Sequence, residues 1–217
     1  MTLALYGHPF SSYTWKTLIA LYAAEVKFVF RMVDPDHPEN VAAVLSAGPL
    51  GKFPVLQDGE NLVFEATSII EHIANRHGAV NTLVPRDSEA AIRVRMLDRV
   101  FDNYVMTPMQ EVVGEYLRNR EIPDMTRVGE AQVRLERTYA WLEGWLESYA
   151  VTDRITLVEC AAAPSLFYAD WVHPIAEQFP RLKRWRGHLL QLPPIARCVD
   201  EARPYRAFFP LGAPDRD

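Results

Sequence analysis

Hydrophobic positions follow two different rhythms along this chain, one before residue 80 and one after it. The apolar run Leu3–Tyr6 predicts a short buried strand. From Ser11 to Ala24, Trp15, Leu18, Ile19 and Tyr22 recur every three to four residues, the spacing of a helix face. Lys27–Val33 alternates, with Phe28, Phe30 and Met32 on one side and Lys27 and Arg31 on the other, as in a strand. Asp34-Pro35-Asp36-His37-Pro38 breaks the chain, and Glu39–Ser46 predicts a short helix. Val55–Gln57 and Leu62–Phe64 flank Asp58-Gly59, a pair suited to a hairpin turn because glycine takes positive φ at little cost. Glu65–His77 predicts a helix with Ile69, Ile70 and Ile73 on one face, ending near Gly78.

The resulting order is β-α-β-α-β-β-α. So short a strand–helix–strand unit wants a parallel, right-handed crossover, and the hairpin adds antiparallel strands. A mixed four-stranded sheet flanked by helices satisfies both. After residue 89 the strand signal disappears. Leu97, Phe101, Tyr104, Val105, Val112 and Tyr116 predict one helix, kinked at Pro108. Further helices are expected over Val128–Tyr149, from Thr156, around Leu182, Trp185 and Leu189, and over Ile195–Ala202. Val80–Ser88, with Pro85, is the natural linker. The expected division is an α/β domain at 1–80, a linker at 81–88 and an all-helical domain at 89–217. The polar tail Ala213–Asp217 is expected to fray.

Composition narrows the classes. With 217 residues and 49 % hydrophobic content, the chain can bury a sizeable core. The net charge of −5 argues against a protein built to grip nucleic-acid phosphates. Charge does not separate the halves: five Lys/Arg face eight Asp/Glu up to residue 80, and 18 face 20 beyond it. No apolar stretch reaches the ~20 residues that span a bilayer. No basic segment followed by an apolar core opens the chain, so the expectation is a cytoplasmic protein with no nucleic-acid or membrane partner. The two cysteines, Cys160 and Cys198, form neither a disulfide framework nor a zinc knuckle.

Three segments fall at strand ends, where open α/β sheets bind ligands. In Gly7-His8-Pro9-Phe10-Ser11-Ser12-Tyr13, a serine caps the first helix beside its free N–H groups, a place suited to an anion or thiolate. In Gly51-Lys52-Phe53-Pro54-Val55, a cis bond before Pro54 would let the backbone at Phe53 pair with an extended peptide. In Glu65-Ala66-Thr67-Ser68, helix-start N–H groups suit a carboxylate and the Glu65 side chain an ammonium. Each segment also has a plain structural reading as a cap or turn. Together, a thiolate grip, a peptide grip and an amino-acid-end grip describe glutathione.

On these residues the chain resembles the cytosolic glutathione transferase family over nearly its whole length: a thioredoxin-like half followed by an all-helical half. Gly7-His8-Pro9-x-Ser11 resembles the serine-type turn of the phi class. Ser11-Ser12-Tyr13-Thr14-Trp15-Lys16-x-x-Ile19-Ala20-Leu21 resembles a zeta-class stretch, with Tyr13 where that class has cysteine. Gly51-Lys52-Phe53-Pro54-Val55 is similar to the family's cis-proline loop. Thr156-Leu157-Val158-Glu159 resembles its helix-capping box, with Glu159 where aspartate is usual. Ala66 stands where the family normally has a serine, so the hydroxyl contact to the γ-glutamyl carboxylate is missing unless Thr67 replaces it.

The resemblance implies a transferase with glutathione as cosubstrate, no metal, a homodimer, and a small hydrophobic electrophile as second substrate. Ser11 is the expected thiolate donor, with Ser12 and Tyr6 as alternatives. Ser11, Lys52, Phe53, Pro54, Glu65, Ala66 and Thr67 are the expected glutathione contacts. Phe10, Tyr13 and Tyr104 are the expected walls of the electrophile pocket, with Phe208 and Phe209 weaker candidates. His8 reads as a turn residue. Two other readings stay open: a glutathione-dependent cis-trans isomerase, and a binding protein without turnover. With no cysteine before Cys160, thiol–disulfide exchange at the first helix is excluded, and the working sulfur must come from the ligand.

Overall fold

A computed structural model describes residues 3–77 and 83–217. The expected helix end at Gly78 and the first two residues of the expected linker, 81–82, lie outside the described residues. The first half runs β1 (Leu3–Gly7), α1 (Ser12–Ala23), β2 (Val29–Met32), α2 (Pro38–Ala47), β3 (Val55–Asp58), β4 (Asn61–Phe64) and α3 (Ala66–Arg76). The sheet order is β2-β1-β3-β4. β1 pairs with β2 in parallel and with β3 antiparallel, and β3 pairs with β4 antiparallel. Gly59 turns the hairpin at φ +63°. This is the mixed sheet that the hydrophobic rhythm predicts.

Leu5 and Leu56 are fully buried on the sheet, beneath a core that α1 and α3 share through Leu18, Ile19, Ile69 and Ile70. α2 covers a smaller cluster, Val33, Val44 and Val55, against which Tyr6 and Phe53 pack.

The second half is helical: α4 (Ser88–Val100), a π-helical segment (Phe101–Met106), α5 (Thr107–Arg118), α6 (Met125–Trp145), α7 (Leu157–Val172), α8 (Pro180–Gln191), α9 (Pro193–Ala202) and a 3-10 turn (Arg203–Phe208). Every residue of α7 is buried. Its start is fixed by Thr156, whose hydroxyl accepts from Val158 N–H at 3.1 Å, while Glu159 accepts from the Thr156 N–H at 2.8 Å. The core is continuous between the halves, with the Trp15 ring of α1 packed at a tilt 4.9 Å from Phe167 and 5.5 Å from Tyr168.

Pro108 does more than kink its helix. It has no N–H, so the carbonyl four residues back, on Tyr104, loses its helical partner. The Thr138 hydroxyl of α6 lies 3.1 Å from it, its one proton shared with the Arg134 carbonyl at 2.9 Å. The preceding turn widens, and the Thr107 N–H reaches back to Asp102. The wide turn shifts the phase of the helix. Tyr104, expected to face inward with Phe101 and Val105, is instead 59 % exposed, while those two are fully buried.

The tail does not fray. The Asp217 carboxylate takes hydrogen bonds from Arg203 and Arg206, and Arg216 pairs with Asp170 on α7. Among the described residues, no helix is long and apolar enough to cross a membrane.

Candidate active site

The turn between β1 and α1 is tied down from both halves. The Ser11 N–H donates to the His8 carbonyl at 2.9 Å, and the Trp15 indole N–H donates to the Pro9 carbonyl at 2.5 Å. From α7, the Tyr168 hydroxyl donates to the Phe10 carbonyl at 2.9 Å. Gly7 is required here because an added Cβ would lie 2.7 Å from the Thr14 side chain. Ser11 is the N-cap of α1, and its Oγ accepts from the Thr14 N–H at 3.3 Å. That bond uses a lone pair, so the hydroxyl proton remains free to point at a ligand. Ser12 opens the helix and is buried.

The alternative donor Tyr6 and the turn residue His8 are engaged within the first half and at its border. The Tyr6 hydroxyl donates to the Gln57 Oε1 at 3.1 Å, across the sheet. His8 Nδ1 accepts from the Phe10 N–H at 3.1 Å, and its ring lies 4.6 Å from that of Tyr205. Burial pushes the His8 imidazole below its ordinary value, partly opposed by Asp34, so it stays neutral at physiological pH.

A cleft of about 380 Å³ opens beside this turn. Tyr13, Lys52, Phe53, Pro54, Glu65 and Ala66 line it from the first half, and Arg99, Asp102, Asn103, Thr107 and Gln110 from the second. The Phe53–Pro54 bond is cis. Glu65 caps α3 with φ +68°, a left-handed conformation rare for residues other than glycine and common at ligand clamps. Its side chain is exposed, and Ala66 behind it is 6 % exposed. Gly51, at φ +54°, is pressed so closely on Leu45 that an added Cβ would lie 2.5 Å from a methyl group.

Several expected positions fall outside this cleft. Ser11, Ser12, Phe10, Thr67 and Tyr104 are not among its walls. The Phe10 ring packs edge-on to Tyr168 at 5.5 Å, on the helical core. Phe209 is buried against Trp171, and Phe208 is 66 % exposed. The Thr67 hydroxyl donates to Asp98 at 2.9 Å, so its proton is not offered to a ligand carboxylate. On the helical side this cleft is lined by charged and polar residues, Arg99, Asp102, Asn103, Thr107 and Gln110.

Beneath the cleft lies a charge network that sequence reading missed. Lys16 is fully buried. Its Nζ lies 2.5 Å from Asp98 Oδ1, 2.7 Å from Asp102 Oδ2 and 3.0 Å from the Thr67 hydroxyl. The half-exposed Arg99 guanidinium bridges Asp98 at 2.5 Å and Asp102 at 2.6 Å. Two cations thus meet two carboxylates where the halves join. Burial holds the Asp102 carboxyl above its ordinary value, Lys16 being the strongest opposing influence. Tyr13 shares this field: burial, reinforced by Asp102, pushes its hydroxyl up to about 12, so it remains protonated. A usable signal was present, since Lys16 sits among residues of α1 that are otherwise apolar or small, and Asp98, Arg99 and Asp102 fall within one helical turn.

Comparison with known proteins adds relatives to this geometry. A model of the glutathione S-transferase N-terminal domain matches residues 5–81, and one of the C-terminal domain matches residues 106–193. Glutathione S-transferase hmp2 of Hypomyces subiculosus is 26 % identical over 94 % of this chain and 100 % of its own. A probable maleylacetoacetate isomerase of Vibrio cholerae is 23 % identical over 94 % of this chain and 98 % of its own. The crystal structure of a glutathione S-transferase from Methylobacillus flagellatus with glutathione bound superposes with a TM-score of 0.75 at 22 % identity, covering 91 % of this chain and 98 % of that one.

Proposed function

The chain belongs to the glutathione S-transferase family and is a transferase, and from that premise we propose that it conjugates the glutathione thiolate to a small electrophile, with Ser11 as the thiolate donor. The observation that carries this reading is the capped start of α1 beside a cleft that joins the cis-proline loop to the start of α3. Free cysteine thiols titrate near ~8.5, so little glutathione is thiolate at neutral pH. The Ser11 hydroxyl donates to the sulfur, and the positive end of α1, with the N–H groups of Ser12 and Tyr13, adds to its stabilisation. The backbone at Phe53 pairs with the tripeptide, and Lys52 meets its glycine carboxylate. The γ-glutamyl end lies at the start of α3, its ammonium toward Glu65 and its carboxylate toward the Ala66 N–H. The sulfur lone pair forms the new bond to carbon, and the leaving group departs with its electrons.

Asn103, Thr107 and Gln110 give the facing wall hydrogen-bonding groups, which fits an electrophile carrying a polar group rather than a wholly apolar one. The domain division is 1–80 for glutathione, 81–88 as linker and 89–217 for the second substrate. Leu62 and Phe64 on the edge strand β4, and Ile92 and Met96 on α4, are exposed apolar side chains that a second copy would cover, which supports a homodimer. A cytoplasmic setting fits a reduced cosubstrate.

Calorimetry with glutathione tests the assignment: saturable millimolar or tighter binding, and a conjugation rate lost in Ser11→Ala while binding persists, are expected. No binding at millimolar concentration overturns it. The isomerase reading has one specific support, the Vibrio cholerae relative. Turnover of a cis-dienoic acid in preference to a chloronitro-aromatic compound would favour it.

A further inference from the structure

At the far end of β3 from the cleft, three side chains converge that the transferase reading does not use. Asp58 closes β3, His72 lies on α3, and His77 is the C-cap residue of that helix. A single carboxylate oxygen, Asp58 Oδ2, lies 2.9 Å from His72 Nε2 and 3.0 Å from His77 Nε2. The three donor atoms all fall within 4.8 Å of one another. His72 and His77 are five residues apart and would diverge on a continuous helix. They meet because the chain leaves helical geometry at His77, with φ −115° and ψ 24°.

We propose that Asp58, His72 and His77 form a binding site for a divalent transition-metal ion of the zinc class, which clips the β3–β4 turn to the end of α3.

Two imidazoles and one carboxylate form a donor set that suits Zn²⁺, Ni²⁺ or Cu²⁺ and not Ca²⁺ or Mg²⁺, which prefer oxygen. Zinc bonds of about 2.0–2.1 Å at tetrahedral angles hold donor atoms about 3.3 Å apart. The two observed carboxylate–imidazole distances need open by only a few tenths of an ångström, within reach of side-chain rotation. The side chains are 16 %, 27 % and 23 % exposed for His72, His77 and Asp58, which leaves an entry path and room for water in the remaining position. Ligation needs each Nε2 without its proton, which a neutral imidazole provides by carrying its hydrogen on Nδ1. The site lies three residues along β3 from Val55, about 10 Å at strand rise. An ion there would stabilise the first half without touching the cosubstrate.

The test is titration of chelator-treated full-length protein with Zn²⁺, followed by calorimetry and thermal unfolding, with Co²⁺ as a spectroscopic probe. Expected are one ion per chain, visible ligand-field bands of low-symmetry Co²⁺, and a melting temperature raised by about 5–10 °C at a hundredfold excess over Kd. His72→Gln and His77→Gln should each weaken binding at least about tenfold. His173→Gln, at another partly exposed imidazole–carboxylate pair, should leave it unchanged, and conjugation rates should be the same in all three. No saturable binding at millimolar Zn²⁺ to the unmutated protein overturns the proposal, as does an affinity unchanged from that of the unmutated protein in both His72→Gln and His77→Gln.

Discussion

Replacing Lys16 with methionine keeps the length of the side chain and deletes one buried charge. In the native protein the ammonium lies 2.5 Å from Asp98 and 2.7 Å from Asp102 and is fully buried. Its loss leaves two buried carboxylates with the Thr67 hydroxyl on Asp98 and, as the remaining cation described beside them, Arg99, whose side chain is 51 % exposed and already shared between them. Removing one partner of a buried pair costs about 3–5 kcal/mol, because the remaining charge is stranded away from water. For a chain of this size that is about 2–4 °C of melting temperature per kcal/mol, so a fall of about 6–20 °C is expected. The deficit depends on pH with a definite sign. Burial already raises the folded-state Asp102 carboxyl above its unfolded value, and Lys16 is the largest influence holding it down. Without Lys16 it rises further. Between the unfolded and folded values the native state binds more protons than the unfolded chain, so stability falls as pH rises through that window. The window is wider in the variant. Urea unfolding of both proteins at about pH 5 and about pH 8 should therefore show a larger deficit at the higher pH. A deficit below about 1 kcal/mol, or one equal at both pH values, would refute the view that Lys16 acts as a compensating charge rather than as packing.

Ala66→Ser restores a hydroxyl at the start of α3, and one added hydrogen bond of about 0.5–1.5 kcal/mol should lower the glutathione KM by about two- to tenfold. Tyr13→Phe should leave the pH profile of kcat/KM unchanged below about pH 10, because the Tyr13 hydroxyl titrates only near about 12; a lost or shifted limb in that profile would make Tyr13 a catalytic group. Thr156→Ala removes the capping hydroxyl of the central helix and should cost about 1–2 kcal/mol in urea unfolding. Burial pushes both the Cys160 and Cys198 thiols well up, so a thiol reagent at neutral pH should label neither in the native protein and both after unfolding.

Much of this architecture is legible from local signals. Periodicity locates the strands and most helices because each buries one regular face, as with Ile69, Ile70 and Ile73 on α3. Ser11 and Thr156 announce their helices because capping is a contact between near neighbours in the chain. The failures share a different cause. Tyr104 points outward because Pro108, four residues on, widens a turn, and a Thr138 hydroxyl from another helix lies 3.1 Å from the freed carbonyl. The Lys16 network joins positions more than 80 residues apart, and no local pattern reveals that pairing. The tail is held by Asp170 on α7 and by Arg203 and Arg206, partners that its own polar sequence does not reveal. The cleft mixes both kinds of information. Its cis-proline loop and α3 start were legible from motifs, whereas Asn103, Thr107 and Gln110 lie in and just after the π-helical turn, which no motif announces.

The central claim is that Ser11 favours the thiolate of bound glutathione. The direct measurement is a pH titration of the thiolate absorbance of enzyme-bound glutathione, in the native protein and in Ser11→Ala. The account predicts a bound thiol that ionises well below the free value of ~8.5 in the native protein and returns toward it in the variant, with binding retained. A bound thiol that titrates identically in both proteins would contradict it.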